Sequence, residues 1–428
     1  MTPPVSRRSF LHGSAAVGLT AFVPAAAKAA ASERVQLAVI GVRGRGAGLA
    51  SGFAAREDAQ VSCICDVDRS VIPDVVSAVA ERQGGRSPRV ETDLRRLLDD
   101  RSIDAIVVAT PDHWHALATV WGCQAGKHVY VEKPASHNVW EGRKMVEAAR
   151  KYNRVVQVGT QSRSAPGYLD MIECLRSGGI GKVHIAKAWN SQKRPDLSEQ
   201  PDSPTPEGVD YNLWLGPAPQ RPFNRNRFHY AWHWLWDYGT GDCGNDGVHD
   251  LDIARWGLGA ALPTEVAGTG AKFANTHWET PDTRYVTYRF PETDTLLVYE
   301  QRDWSPYVQE EFENGVAFYG TDGYIIAGRA RWLRYGPRNK AVPVETKPFT
   351  DEPHRTDFLT CIKQGGTPRA DIEEGHRSAV LAHLANIVFR VGRGVKFDPA
   401  TESIVGDSEA SALLRRSYRA PFEVPEKV

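Results

Sequence analysis

Short apolar runs alternate with helical patterns from about residue 33 to residue 158. Val35–Ile40 (VQLAVI) is almost continuously apolar, which is typical of a strand buried on both faces of a parallel sheet. Similar runs predict strands at Val61–Cys65, Ile103–Ala109, Lys127–Glu132 and Val155–Val158. The stretches between them predict helices that end near Ala55, span Ala116–Ala125 and span Asn138–Tyr152. The alternation predicts one doubly wound domain, which we assign to residues 32–158.

The pattern changes after residue 158. Beyond a helix near Gly167–Ser177, the runs become longer and alternate between apolar and polar residues, as in antiparallel strands. They predict strands at Val183–Trp189, Arg284–Phe290, Thr295–Gln301, Gly315–Tyr319 and Gly323–Ile326, and late helices at Asp351–Gly365 and Glu373–Gly392. Residues 202–227 are expected to form a long surface loop with a binding role. The predicted fold class is α/β, with a second, α+β domain at residues 159–428 built on a large, mostly antiparallel open sheet.

The N-terminus differs in kind from the rest of the chain. Arg7 and Arg8 precede an apolar run from Gly13 to Ala27 that is too short to span a membrane, and alanine-rich cleavage sequences follow it. We interpret residues 1–31 as a twin-arginine signal peptide. The mature protein would then begin near Ser32, use the twin-arginine translocase, and be periplasmic or otherwise extracytoplasmic without a stable membrane anchor. A disordered tail, the alternative, explains the alanines but not the order of the elements.

Composition narrows the classes of function. The 428 residues include 52 basic and 52 acidic side chains, so no net charge favours nucleic acid or an anionic membrane as a partner. The six cysteines have neither zinc-site nor disulfide-framework spacing. Buried thiols without a metal are therefore the expectation.

A glycine-rich loop follows the first predicted strand and opens a helix, where backbone amides can hold a pyrophosphate. This is the place of the dinucleotide loop of a Rossmann domain, although arginine stands at position 43 where the usual spacing has glycine. Asp66 ends the second strand, where a carboxylate accepts hydrogen bonds from ribose hydroxyls and repels a 2′-phosphate, so NAD is favoured over NADP. A strand-end aspartate that caps a turn is the alternative. The loop residues expected to bind the cofactor are Gly41, Arg43, Gly44, Arg45 and Gly46.

Two further segments follow strand ends, where open α/β sheets bind their ligands. Thr110 and Pro111 come after the strongest predicted strand and are expected to line the nicotinamide side together with His115, which can equally cap and pack the next helix. Glu132 and Lys133 end the following strand. A partly desolvated lysine there can stabilise a developing alkoxide. A solvated turn is the alternative for this segment.

The stretch from Tyr238 to Trp256 has the densest candidate chemistry. Its glycines allow the main chain to approach a ligand closely, and they lead into a helix that carries His249 and Asp252. Residues three apart share one helix face, so the two are a candidate acid–base pair near neutral pH. A packed histidine at a helix N-terminus is the alternative.

The order of these segments resembles the Gfo/Idh/MocA oxidoreductases, the family of glucose–fructose oxidoreductase and inositol dehydrogenase. The resemblance rests on the glycine loop with its aspartate, ATPDHWH, EKP and GTGDCGNDGVHDLD, and it covers nearly all of the mature chain. It implies hydride exchange between NAD(P) and a sugar or cyclitol, with Lys133 and His249 in the catalytic pocket. The family often has an aspartate four residues before the histidine; here it is Asn245, which can orient His249 or bind substrate but carries no charge. The adjacent Asp246 is expected to point elsewhere.

Substrate contacts are expected from the second domain. Trp232, Trp234 and Trp236 alternate, so in an extended segment all three face one way and can stack on a pyranose ring; a core stripe is the alternative. The residues expected to contact substrate are Arg163, Trp236, Asn245 and His249, with further contacts from Asn190 and Lys193 and an approach by Arg225 and Arg227 from the long loop.

Together these patterns predict an exported NAD-dependent oxidoreductase that acts on a carbohydrate hydroxyl or ketone, as a homodimer or homotetramer. Because free NAD is scarce outside the cytoplasm, the cofactor is expected to stay bound and to be recycled in place; NADP is the less favoured cofactor. Two alternatives stay open. One is a glycosidase that oxidises its sugar transiently, and the other is a non-catalytic sugar-binding protein, which Arg43 and Asn245 favour.

Overall fold

A computed structural model describes residues 34–305, 307–309, 311–345 and 347–428. The predicted signal peptide, residues 1–31, lies outside the described residues. Residues 34–428 form one unit with two sheets. No helix in this described part of the chain is long and apolar enough to cross a membrane.

The first sheet has six parallel strands in the order β3-β2-β1-β4-β5-β6. The strands are β1 (Val35–Ile40), β2 (Ala59–Cys65), β3 (Arg89–Glu91), β4 (Ala105–Val108), β5 (His128–Val131) and β6 (Val156–Val158). The helices are α1 (Arg45–Ala54), α2 (Ile72–Arg82), α3 (Arg95–Leu98), α4 (Asp112–Gln124) and α5 (Val139–Lys151). Separate apolar clusters cover the two faces, which is why the central strands are apolar throughout.

The strand order reverses beside β1. The chain runs outward through β2 and β3 and then returns to β4, so Ile40 at the end of β1 pairs with Val108 at the end of β4. Ligands of open α/β sheets bind at such a switch point, outside the carboxyl ends of the strands. The predicted Rossmann-type parallel sheet is confirmed.

The second sheet has ten strands in the order β14-β13-β12-β11-β7-β10-β9-β8-β15-β16, and every pairing except β7 with β10 is antiparallel. The strands are β7 (Val183–Asn190), β8 (Glu265–Ala271), β9 (Thr283–Phe290), β10 (Thr295–Arg302), β11 (Asn314–Gly320), β12 (Tyr324–Ala327), β13 (Trp332–Gly336), β14 (Lys340–Val342), β15 (Val395–Asp398) and β16 (Ser403–Ile404). The helices are α6 (Pro166–Arg176), α7 (Tyr211–Leu215), α8 (Val248–Leu258), α9 (Glu352–Gln364), α10 (Ile372–Val391) and α11 (Ser408–Ala412). The predicted large, mostly antiparallel sheet is confirmed.

The two faces of this sheet differ. One packs against α6, α8 and α10 in the largest apolar cluster of the described residues. The opposite face exposes Ile185, Tyr285, Leu296 and Tyr319. The sheet is therefore open on one side.

Two late helices return to the first sheet. Phe358 and Leu359 of α9 are fully buried in the cluster that contains Phe53 of α1. Ile372 and Ala379 of α10 lie in the cluster on the other face. Each face of the first sheet is therefore completed by residues that come after most of the second sheet.

Candidate active site

One cavity of about 430 Å³ lies at the carboxyl ends of β1, β2, β4 and β5. The predicted residues that line it are Gly41, Arg43, Gly44, Arg45, Asp66, Thr110, Pro111, Glu132, Lys133, Asn245 and His249. The predicted cofactor loop and the predicted catalytic groups thus share one space. Among the described residues, no group of three or more His, Cys, Asp or Glu side chains could hold a metal ion.

The glycine loop leaves room for a ligand because two of its glycines pack tightly. Gly41 has φ +79°, and a Cβ there would lie 2.7 Å from the Ala109 carbonyl oxygen. A Cβ on Gly46 would lie 1.7 Å from the Gly41 carbonyl oxygen, so Gly46 closes the turn and does not line the cavity. Gly44, at the start of α1, has open space around its missing side chain. The amides at this helix N-terminus fit a pyrophosphate.

Asp66 lies where β2 ends, and its carboxylate accepts hydrogen bonds from the backbone amides of Val42 (2.7 Å) and Asp68 (2.9 Å). Burial raises the pKa of Asp66 to about 6, although these amide hydrogen bonds oppose the rise. The carboxylate lines the cavity, where it can accept hydrogen bonds from the ribose hydroxyls of a nucleotide. Together with the Gly44 opening, it fits NAD.

Glu132 is an ionised anchor at the end of β5. Burial by itself raises the pKa of Glu132, but the charges of Arg45 and Lys133 outweigh burial, and the net effect lowers that pKa. Arg45 Nε lies 2.8 Å from Glu132 Oε1. The pair ties α1 to the strand end that carries Lys133.

Lys133 is oriented by Asn245. Its Nζ donates to the backbone oxygen of Asn245 at 2.6 Å and to the Oδ1 atom at 3.0 Å. An ammonium has three N–H donors, so one is left for a ligand. Asn245 lies in a π-helical turn, Cys243–Gly247, which precedes α8. Such turns are frequent at functional sites.

His249 lies in the first turn of α8 and faces the same cavity. Burial holds the pKa of His249 well below its ordinary value, and the positive charges of Arg329 and Lys133 lower it further, while Asp246 opposes them. The imidazole is therefore neutral near pH 7 and can accept a proton. Asp246 points elsewhere, as expected: its carboxylate binds Arg194 and Arg329 and does not line the cavity, although its negative charge still acts on His249.

The proposed pair of His249 and Asp252 is not formed. Asp252 is fully buried and accepts two hydrogen bonds from Arg163 Nε, both at 2.9 Å, and one from Ser378 Oγ at 2.6 Å. Arg163, expected to bind substrate, is 3% exposed and does not line the cavity. Both side chains are structural because their charges neutralise each other inside the core.

His115 and four other predicted contacts also lie outside the cavity. The two ring nitrogens of His115 lie 2.7 Å from the Pro134 oxygen and 3.0 Å from the Thr110 oxygen, so this buried residue positions the cofactor wall from behind. Asn190 is buried against Asp242, and Arg227 binds Asp202. Lys193, Arg225, Arg227 and Asn190 are all absent from the cavity lining.

The three alternating tryptophans do not share a face, because Ala231–Trp234 is a 3₁₀ turn and not an extended segment. Trp234 is buried and stacks on Trp278 with ring centres 4.3 Å apart. Trp236 lines a separate cavity of about 40 Å³, where Arg390 lies over its ring. Only Trp232 reaches the main cavity, stacked on His233 at 3.7 Å.

Residues 208–233, which we call the covering segment, contribute six cavity residues besides Trp232 that the sequence patterns did not indicate. Backbone hydrogen bonds join it to the loop after β2, from Arg69 N to Gly208 O (3.1 Å) and from Asp210 N to Val67 O (2.8 Å). His229 Nε2 lies 3.1 Å from Asp68 Oδ2. Its cavity residues are Leu213, Trp214, Phe228, His229, Tyr230, Trp232 and His233. The dense aromatic run FHYAWHW was the available signal.

Comparison with known families agrees with this geometry. The family model described as "Oxidoreductase family, NAD-binding Rossmann fold" matches residues 35–160. Its companion, "Oxidoreductase family, C-terminal alpha/beta domain", matches residues 186–306 and 336–424. The chain belongs to the Gfo/Idh/MocA oxidoreductase family. Its first sheet is an NAD-binding Rossmann domain.

The individual relatives are distant from this chain in sequence. Inositol 2-dehydrogenase 2 of Saccharopolyspora erythraea is 30% identical over 231 residues, which are 53% of this chain and 55% of that protein. A glycosyl hydrolase family 109 protein of Stenotrophomonas maltophilia is 27% identical over 219 residues, 48% of this chain and 47% of that protein. The chain thus spans about half the length of these two relatives. The crystal structure of aldose-aldose oxidoreductase from Caulobacter crescentus, complexed with glycerol, shares the fold with a TM-score of 0.66 at 18% identity, over 85% of this chain and 100% of that one.

Proposed function

We propose that this protein is an exported oxidoreductase that transfers hydride between a tightly bound NAD and a carbohydrate hydroxyl or ketone. The observation that carries the proposal is the shared cavity. Lys133, Asn245 and His249 line the same space as the glycine loop and Asp66, at the switch point of the first sheet. A proton acceptor and an alkoxide-stabilising cation thus lie next to a nucleotide-binding crevice.

The roles of the side chains follow from their contacts. Bound NAD supplies the hydride acceptor at its nicotinamide ring. His249, neutral near pH 7, accepts the hydroxyl proton of the substrate when the carbon gives up its hydride. The remaining N–H of Lys133 donates to the oxygen as negative charge develops there. In the reverse direction, His249 returns the proton to the ketone oxygen.

A carbohydrate substrate is supported by the aromatic wall of the cavity. Trp232 and His233 form a stacked pair beside Tyr230, and aromatic faces pack well against the apolar faces of sugar rings. The relatives named for inositol and aldoses point the same way. For the cofactor, the Asp66 carboxylate favours NAD over NADP because it repels a 2′-phosphate.

Export and cofactor retention belong to the same proposal. The twin-arginine sequence in residues 1–31 favours a periplasmic location, and the covering segment would hold the dinucleotide there. The bound cofactor would be recycled by a second sugar or within one catalytic cycle. The open face of the second sheet, with its exposed apolar side chains, supports a homodimer or homotetramer.

A second candidate is a glycosidase that oxidises its sugar, eliminates the aglycone and reduces the product. The similarity to a glycosyl hydrolase family 109 protein favours it, and the same cavity groups would serve both reactions. Release of aglycone from a glycoside without added NAD would identify this candidate. Net formation of an oxidised sugar would identify the dehydrogenase.

The deciding experiment uses residues 32–428, purified without added nucleotide and then denatured. NAD released at near-equal stoichiometry, followed by oxidation or reduction of a carbohydrate in a substrate screen, is the expected result. A protein that holds no nucleotide, binds neither NAD nor NADP when these are supplied, and yet binds saccharides would be a non-catalytic binding protein. That result would overturn the proposal.

A further inference from the structure

Asn245 is hydrogen-bonded at both ends of its amide. The Oδ1 atom accepts from Lys133 Nζ at 3.0 Å, and Nδ2 donates to Asp242 Oδ1 at 2.8 Å. We propose that Asp242 is the positioning carboxylate of the active site and that it orients Lys133 through Asn245. This inference rests on the proposed function, since Lys133 is the group that meets the substrate oxygen.

The direction of the hydrogen bonds that run from Lys133 through Asn245 to Asp242 is fixed by the two charged groups at the ends. An ammonium can only donate and an ionised carboxylate can only accept, so the amide between them must present oxygen to Lys133 and nitrogen to Asp242. Asparagine satisfies both requirements at once. An aspartate at position 245 would satisfy only Lys133, and it would set a second carboxylate against Asp242 at the present 2.8 Å separation.

Asp242 is surrounded by hydrogen-bond donors. It is fully buried, and its Oδ2 atom accepts from Arg194 Nε at 3.1 Å and from Asn190 Nδ2 at 3.2 Å. Burial and the nearby Asp242 raise the pKa of Asp303 well above its usual range. The groups that hydrogen-bond to the Asp242 carboxylate, from Arg194, Asn190 and Asn245, are all donors.

The local backbone brings Asp242 and Asn245 together. They flank the first residues of the π-helical turn, and Gly244 lies between them. A Cβ on Gly244 would lie 1.9 Å from Thr240 Oγ1, so the backbone is packed directly against Thr240. This packing fixes the relation of Asp242 to Asn245 before any ligand enters. The family often has the supporting carboxylate at position 245. Here we infer that it lies at position 242 and acts on Lys133 through the Asn245 side chain.

A charge-swap experiment separates this arrangement from a merely structural one. The variants are D242N, N245D and the double variant D242N/N245D, with D294N as the control because Asp294 is an exposed aspartate paired with Arg289. For the carbohydrate found in the screen, each single variant should lose about tenfold to a hundredfold in kcat, because a misplaced catalytic group costs about that much. The KM for substrate should change less than kcat.

The double variant should recover at least about tenfold over N245D, since it again has one carboxylate, now in direct contact with Lys133, with an amide donor behind it. D294N should match the wild type. An N245D variant as active as the wild type would overturn the proposal, as would a folded double variant no better than either single one. The N245D substitution nearly preserves side-chain volume. If the other variants do not fold, the activity of N245D alone decides between the two outcomes.

A second readout needs no catalysis. In N245D, a half-buried carboxyl lies next to the fully buried carboxyl of Asp242, and their repulsion raises the pKa of one of them, so the folded state of the variant binds a proton that the unfolded state has released. Its Tm deficit relative to the wild type should therefore be larger at pH 8 than at pH 5, and the double variant should lose this pH dependence. A pH-independent deficit would overturn the proposal. If wild-type protein transfers no hydride, the proposed function fails, and the melting data still decide whether Asp242 and Asn245 are coupled.

Discussion

Arg163 and Asp252 form a buried ion pair, with Arg163 Nε 2.9 Å from each carboxylate oxygen of Asp252. Asp252 belongs to α8, the helix that carries His249, and Glu374 adds a second carboxylate 3.1 Å from Arg163. Two residues with the chemistry expected of an active site therefore act as part of its support.

We expect Arg163→Met to destabilise the fold by about 3–5 kcal/mol, because it leaves Asp252 charged and buried without its partner. Chemical denaturation of the variant and the wild type measures this loss. R377M, which removes an arginine that pairs with Glu374 at the surface end of the same ion-pair network, should cost less than about 1 kcal/mol. An R163M protein of wild-type stability with a raised KM would instead assign Arg163 to the substrate.

His249→Gln should lower kcat by about 10²–10⁴-fold while the protein keeps its bound nucleotide, since the proton acceptor is lost but the glycine loop is not. The pKa of His249 lies well below its ordinary value, so the wild-type kcat should fall on acidification only well below pH 6.5. A pH profile of kcat, with the nucleotide content of each sample measured, checks both points. A wild-type profile that falls through pH 6.5 would contradict the neutral imidazole.

NAD binding should strengthen as pH rises through about 6 and then level off, because the ionised Asp66 accepts hydrogen bonds from ribose and its pKa in the free protein is about 6. Titration of nucleotide-free protein by calorimetry between pH 5 and pH 8 measures the dependence. The D66N variant should bind NAD more weakly than the wild type and should lose this pH dependence. D93N is the matched control: Asp93 also lines the cavity, but its carboxylate is paired with Arg95, so the dependence should persist.

Gly46→Ala should abolish nucleotide binding, since its Cβ would fall 1.7 Å from the Gly41 carbonyl oxygen and the loop would have to move. Gly48→Ala offers a comparison two residues along the same helix, where a Cβ meets nothing within 4 Å. We expect G48A to stabilise the protein by up to about 1 kcal/mol through helix propensity. Thermal melting and bound-nucleotide assays on both variants test the contrast, which fails if G46A binds NAD normally.

His229→Gln should accelerate release of the bound nucleotide. His229 joins the covering segment to Asp68, and a partly exposed contact of this kind contributes up to about 1 kcal/mol, which corresponds to about fivefold in the rate. H277Q, at an exposed histidine bound to Asp196, should leave the rate unchanged. Stopped-flow displacement of NADH measures the rates. Equal rates in the wild type, H229Q and H277Q would show that the contact between His229 and Asp68 does not slow nucleotide release.

The sequence predicted what local patterns determine. Continuous apolar runs indicated the buried parallel strands. Motifs at strand ends led to Asp66 and Lys133 because such ends converge on one edge, and the glycine-rich stretch before α8 led to His249. β8 was missed because Gly268 and Gly270 give it little of a strand's composition. The short strands β3, β14 and β16 have two or three residues each, too few for a period to emerge.

Other parts of the site depend on contacts between distant residues. Asp252 pairs with Arg163, 89 positions earlier, and no spacing rule on α8 could indicate that its carboxylate faces away from His249. The tryptophans failed for a different reason: a two-residue period implies a shared face only in an extended chain, and Ala231–Trp234 is a turn. The sequence suggested that Asn245 removes a negative charge from the site, because the sequence could not show that Asp242 hydrogen-bonds to it.

The return of α9 to the first sheet has a consequence for synthesis. The nucleotide-binding half is translated first, yet Phe358 and Leu359 fill one face of its core, and Phe422, Val424 and Val428 lie in the cluster on the other face. A growing chain on the ribosome therefore cannot complete the core of the nucleotide-binding half before residues 422–428 emerge. The cofactor pocket becomes fully supported only after these residues have been synthesised, so products that stop before residue 422 should expose apolar surface and be removed by quality control.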